Sequence, residues 1–179
     1  MSKKLQPKQK DKIEETILNL RGICRHKQNV LENTIILGEK LVEQGEINLG
    51  KNLIANGYSH DISKFFGIEW AEMAPNTAKN EQPDKETKKM KLKLAIANHN
   101  QTNLHHVEAW GCISEMPDVY LAEMCCDLLA RSQEFGTSLM DYIDDEGIKR
   151  WKISKDESVY KKIIKYVNLL CEKPFAATP

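Results

Sequence analysis

The sequence predicts an all-α fold, on three observations. Apolar residues recur at three- and four-residue spacings along most of the chain. No alternating apolar run is long enough to build a sheet. Residues that start and stop helices fall between the periodic stretches. With 179 residues, 41% of them hydrophobic, the chain has enough apolar surface for one packed helical bundle spanning 1–179.

The first ten residues are polar and are expected to be flexible. From about Lys8 to Gln44, Ile13, Ile17, Leu20, Ile23, Val30, Leu37 and Leu41 mark one helix face, with Gly22 and Gly38 as sites of a break or bend and Gly45 as its end. A shorter helix is predicted from an Asn48 cap towards Tyr58. A short amphipathic piece then carries Phe65, Phe66, Ile68, Trp70 and Met73.

Residues 75–86 hold two prolines and almost nothing to bury, so they read as a loop. Asp84 caps a helix reaching His99, with Leu92, Ala95 and Ile96 inward. Residues 100–116 read as irregular. Pro117 suits the first turn of a helix through Glu134, closed by Gly136. In the C-terminal part, 150–179, a last helix from about Asp156 to Cys171 aligns Val159, Ile163, Val167 and Leu170, and a tail follows.

Charge narrows the partners. Lysine and arginine number 26, as do aspartate and glutamate, so the basic excess of a phosphate-tracking nucleic-acid binder is missing. Small molecules are the more natural ligands, and stable nucleic-acid or membrane binding is not expected; a homo-oligomer is compatible. The five cysteines lack the CxxC spacing of a zinc clip, and the N-terminus lacks a signal peptide's apolar stretch. A cytoplasmic protein with reduced thiols is the expectation.

Histidines are scarce, and their places are informative. His26 lies on the stripe Ile23, His26, Val30, Leu37, and His99 follows Leu92 and Ile96 at helical spacing, so both point inward. Asp127 shares a face with Tyr120, Met124 and Arg131. A buried carboxylate needs a cation. Arg131 can supply it as an i,i+4 partner, or a metal ion can, held jointly with His26 and the His60-Asp61 pair. An inward histidine bonded to a carbonyl is the plainer account of any single ring. The joint order H…HD…H…HH…D weighs against that account for all of them at once.

This order resembles the HD-domain superfamily of metal-dependent phosphohydrolases, whose helical core binds metal through a histidine, a His-Asp doublet and a later aspartate. The matching positions are His26, His60-Asp61 and Asp127. Lys64 completes an HDxxK form, in which the lysine lies near substrate phosphate. His99, His105 and His106 are similar to the ligands of branches that hold a second metal. A closer resemblance is to an HD-like family of phage and bacterial proteins without an assigned reaction, on HDISKF at 60–65, HNQTNLHHVEAW at 99–110 and EMCCDLLARSQEFG at 123–136.

The resemblance implies one or two divalent transition ions, Mn, Fe, Co, Ni or Zn, which mixed nitrogen and oxygen donors suit. Such an ion lowers the pKa of water towards about 7 and polarises a phosphoryl oxygen. Asp61, Lys64 and Arg131 are then the expected catalytic group, and Glu108 the acceptor that fixes an imidazole tautomer. The implied reaction is hydrolysis of a phosphate ester in a nucleotide or similar small phosphorylated metabolite. A non-enzymatic helical binding protein with a structural or vestigial metal, and an HD-fold di-iron oxygenase, are the alternatives.

Overall fold

Helix boundaries follow from capping chemistry, and a computed structural model describes them for residues 7–73 and 84–171. Helix α1 runs Pro7–Glu43. Proline suits a first helical position, where its missing N–H goes unneeded. Thus residues 7–10 of the expected flexible start are already helical, while 1–6 lie outside the described residues. Gly45, at φ +87°, ends α1. The Gly45 N–H donates to the Val42 carbonyl and the Glu46 N–H to that of Leu41, the paired bonds of a Schellman closure.

Helix α2 covers Ile47–Ser59, entered from Glu46 without a side-chain cap. Asn48 is therefore a helical residue and not the cap the sequence suggested. The closing bonds of α1 leave only the three residues Gln44, Gly45 and Glu46 before α2 begins. A 3₁₀ turn over Ile62–Phe65 precedes α3 (Gly67–Met73).

Asp84 caps α4 (Lys85–Thr102), accepting from the backbone N–H groups of Glu86 and Thr87 at 3.0 Å each. The predicted loop 75–86 lies outside the described residues as far as position 83, and its last residues belong to this capped helix. Helix α5 (Asp118–Phe135) follows Pro117 and closes on Gly136 at φ +64°, as predicted. Then come α6 (Leu139–Tyr142), a π turn over Ile143–Gly147, α7 (Ile148–Trp151) and α8 (Ser158–Cys171). The protein is all-α, with no strand among the described residues. The predicted C-terminal tail, 172–179, lies outside them.

Two compact units emerge. One holds the described residues up to Arg25 and those from Asp61 to Asn103; the other holds His26 to His60 and those from Leu104 onward. The larger unit owns most of the core. Leu37, Leu41, Leu53, Leu121, Ile143 and Ile163 are fully buried there. On α8, Val159, Ile163, Val167 and Leu170 form the buried face the periodicity predicts.

Gly38 does not break α1, which continues through it. It is a contact point instead: a Cβ there would lie 2.9 Å from the Gly50 carbonyl oxygen. One turn earlier on α1, the fully buried Thr34 occupies the space beside Gly57 of α2, 3.0 Å from a Cβ built on that glycine and closer still through its hydroxyl. Close helix approach is why these positions lack side chains. We expect Gly57→Ala to lower stability by about 1–3 kcal/mol by overpacking, although alanine is the better helix former. Thermal unfolding checks this; an unchanged or higher Tm would contradict the close approach.

In the smaller unit, α4 packs against α3. Here Ala95 and His99 are buried, whereas Leu92 and Ile96 are 41% and 44% exposed, correcting their predicted inward placement. Length explains it: seven-residue α3 spans about 10 Å, and eighteen-residue α4 about 27 Å. A short partner covers one line of residues and leaves its flanks in solvent. No helix among the described residues is long and apolar enough to cross a membrane.

Candidate metal centre

Three imidazoles of the larger unit converge on one carboxylate. His26 comes from α1, His60 is the residue that ends α2, and His105 lies in the loop after α4; each is at most 4% exposed. Their Nε2 atoms lie 2.9, 3.9 and 3.9 Å from the carboxylate oxygens of Asp127, on α5. The rings of His26 and His60 are 5.7 Å apart between centroids, and those of His60 and His105 are 4.3 Å apart. His106 sits beside His105, its ring 4.3 Å away.

Carboxylates hold each ring from behind. The Nδ1 of His26 meets Glu134 Oε1 at 2.8 Å. Glu123 Oε1 meets Nδ1 of both His60, at 3.0 Å, and His105, at 3.3 Å. Ionised carboxylates only accept, so each Nδ1 carries the hydrogen. In a neutral ring the Nε2 lone pair then faces Asp127. Imidazoles that donate one nitrogen to a carboxylate while the other stays open are the usual way histidines are presented to metals.

The supports are themselves tied down. Glu134 also accepts from Asn29 at 3.4 Å and from Arg131 at 3.1 Å. Glu123 accepts from Asn56 through Oε2 at 3.0 Å. Buried Asn33 donates to the Cys126 carbonyl at 3.1 Å, linking α1 to α5.

Electrostatics favour the ionised acids. Burial pushes the Glu123 carboxyl up, but the hydrogen bonds and charges of His105 and His60 outweigh it and bring the pKa to about 2. For Asp127 burial again pushes upward. The contact with His26 and the charges of His60, His105 and His26 overcome it, holding the group well below the carboxylate range.

His26 Nε2 and Asp127 Oδ1 test the fit of a cation. Although only 2.9 Å apart, both are buried and neither makes an aligned hydrogen bond. A ring already donating from Nδ1 turns a lone pair towards a negative oxygen, and a cation between them removes the repulsion. His26, His60 and Asp127 present donor atoms within 4.8 Å of one another. These residues can hold a metal ion, with nitrogen donors that suit a transition metal.

The smaller unit holds a related arrangement. Asp61 takes the left-handed conformation, φ +53°, which aspartate tolerates better than most residues, and it opens the 3₁₀ turn that carries Lys64. The Lys64 ammonium pairs with Asp61 Oδ2, while His99 Nε2 lies 3.4 Å from Asp61 Oδ1. Behind His99 stands Glu69, 1% exposed, which meets its Nδ1 at 2.7 Å and accepts from Ser63 at 2.9 Å and Asn98 at 3.0 Å. Burial pushes His99 below its ordinary pKa against the pull of Asp61, which favours a neutral ring.

Two expected roles change. Arg131 does not pair with Asp127; its half-exposed guanidinium binds Glu134 and so steadies His26 indirectly. Glu108 is not behind an imidazole: it lies at the surface, 3.0 Å from Arg150. The acids that fix the rings are Glu69, Glu123 and Glu134, which sequence reasoning passed over. Two had a signal, since Glu123, Asp127 and Glu134 share one face of α5 at spacings of four and seven. Glu69 had none. All five cysteines are unbridged, and Cys125 is core, its thiol pushed up to about 12 by burial.

Fold and centre together define an all-α protein with a buried histidine–carboxylate cluster able to hold a metal ion. The chain belongs to the DUF5662 family of unknown function, whose model matches residues 15–170. No curated protein and no solved structure matches it.

Proposed function

We propose that the protein is a metal-dependent phosphohydrolase related to the HD-domain superfamily, releasing phosphate from a nucleotide or similar small phosphorylated metabolite. The observation that carries this reading is the convergence of three Nε2 atoms on Asp127, each ring backed by a carboxylate. His26, His60 and Asp127 would hold the ion, with His105 beside them. When bound it supplies acidified water and a Lewis acid for a phosphoryl oxygen.

The chain's own residues do the rest. Glu123 and Glu134 orient the donors, and the HD resemblance adds Asp61 as a further ligand and Lys64 as the cation for phosphate charge. The five unbridged cysteines support a reducing, cytoplasmic setting.

Elemental analysis of the purified protein, paired with a phosphate-release screen across nucleotides, tests the proposal. A transition metal near one equivalent with metal-dependent release is expected; metal-free protein, or no release from any nucleotide, would refute it. We expect Lys64→Ala to keep the metal and lose about 10²-fold in turnover, the usual loss when a charge-stabilising group is removed. Turnover at the parent rate would strip Lys64 of this role.

One observation favours a second reading, a structural metal in a binding protein. The donor rings are closed off, and only Asp127, with 18% of its side chain exposed, opens towards solvent. In that case chelation unfolds the protein and no phosphate ester is cleaved.

A further inference from the structure

A single carboxylate serves two of the donor rings. Glu123 Oε1 faces Nδ1 of His60 and of His105, while Glu123 Oε2 is taken by the Asn56 amide. Glu123 is 5% exposed, so bulk water does not compete for these bonds. His60, His105 and Glu123 also lie close enough together to hold an ion, but with the Nε2 atoms turned to Asp127, Glu123 stands behind the rings. We infer that Glu123 is a positioning residue that sets the tautomer of His60 and His105 at once, its second oxygen held by Asn56. The inference rests on the metal reading only in naming Nε2 as the donor atom.

The polarity of this chain of contacts gives it a distinctive signature. Asn56 donates to a carboxylate, but facing an amide it can turn round and accept, so Glu123→Gln alone does not fix which end of the new amide meets the rings. Glu123→Ala leaves the rings no acceptor at all. Nothing then holds their hydrogens on Nδ1, and Nε2, the atom that must stay open for a metal, can take them. In Asn56→Asp/Glu123→Gln the outcome is fixed: the carboxylate at position 56 accepts the glutamine NH₂, and the glutamine oxygen faces the rings.

Nitrogen-15 NMR of the histidine side chains in chelator-treated protein, and titration with cobalt(II) alone, test this. The parent should show His60 and His105 with hydrogen on Nδ1. Glu123→Ala should lose that preference and bind cobalt ~10- to 100-fold more weakly, the range for groups behind a ligand. The Asn56→Asp/Glu123→Gln double variant, whose oxygen is held towards the rings, should keep most of both, with circular dichroism confirming the fold. A residue that merely fills space would set no such tautomer.

Hydrogen on Nε2 in the parent, parental cobalt affinity in Glu123→Ala, or a folded double variant no better than Glu123→Ala would each overturn the inference. Should Glu123→Ala fail to fold, the parent's tautomers still decide. If the protein binds cobalt with the expected tautomers yet releases no phosphate, the phosphohydrolase reading fails and this one stands.

Discussion

Replacing Asp127 by alanine is expected to empty the centre of metal. Three Nε2 atoms point at this carboxylate, so its loss removes the one negative donor they share. The fall in affinity should exceed the roughly 10- to 100-fold that follows loss of a residue behind a ligand. Elemental analysis after gel filtration reads it directly, and unchanged metal content would contradict the assignment. Stability separates this account from an ordinary buried ion pair. If Asp127 served only to pair with a protonated His26, removing it would strand a buried charge and cost about 3–5 kcal/mol with or without metal. If it serves a cation, the cost appears only when metal is present, because binding stabilises the parent by about 4 kcal/mol at a thousandfold excess over Kd. After chelation the variant and the parent should then unfold at similar temperatures.

The helices were legible where chemistry punctuates them. Gly45, Asp84, Pro117 and Gly136 each mark a boundary by a local conformation or hydrogen bond that one residue type supplies. The stretch 139–151 carries no such punctuation beyond the preceding Ser138, so the sequence marks no element there, yet Leu139, Ile143, Gly147 and Trp151 are all buried. Their strict four-residue spacing drifts around an α-helix of 3.6 residues per turn. The π turn over Ile143–Gly147, wider than an α turn, brings the line back to the core. Periodicity also misplaced Leu92 and Ile96, because it reports which residues can share a face and not how long the covering partner is.

The centre was legible in its donors and hidden in its supports. Helical position picks out His26, while His60 and, for a second ion, His105 rest on the HD resemblance. Glutamate is common: the face shared with Asp127 on α5 hints at Glu123 and Glu134, and nothing local marks Glu69 as buried. Glu69 becomes an acceptor for Ser63, Asn98 and His99 only once residues some 30 positions apart have met. Conversely Glu108, adjacent to the paired histidines in sequence, reaches Arg150 across 42 positions. Sequence neighbours in an irregular loop need not share a direction, whereas neighbours on a helix face must.

Acid should loosen the metal-free protein steeply between about pH 4.5 and pH 2. The Glu123 carboxyl titrates near 2 in the folded chain, against an ordinary value of 4.5. Its folded pKa is depressed, so the stability it contributes is complete above the unfolded value and vanishes as pH falls through the folded one. A shift of this size corresponds to about 3 kcal/mol, at 1.36 kcal/mol for each pH step. Urea unfolding of the chelated parent and of Glu123→Gln at pH 5, 4 and 3 separates this contribution from general charge repulsion. The parent should lose stability faster with acid than the variant does, and parallel curves would show that Glu123 is not held ionised by its histidines. With metal bound the sign is the same, because protons compete with the ion for His26, His60 and Asp127. Acid should therefore release the ion before it unfolds the chain.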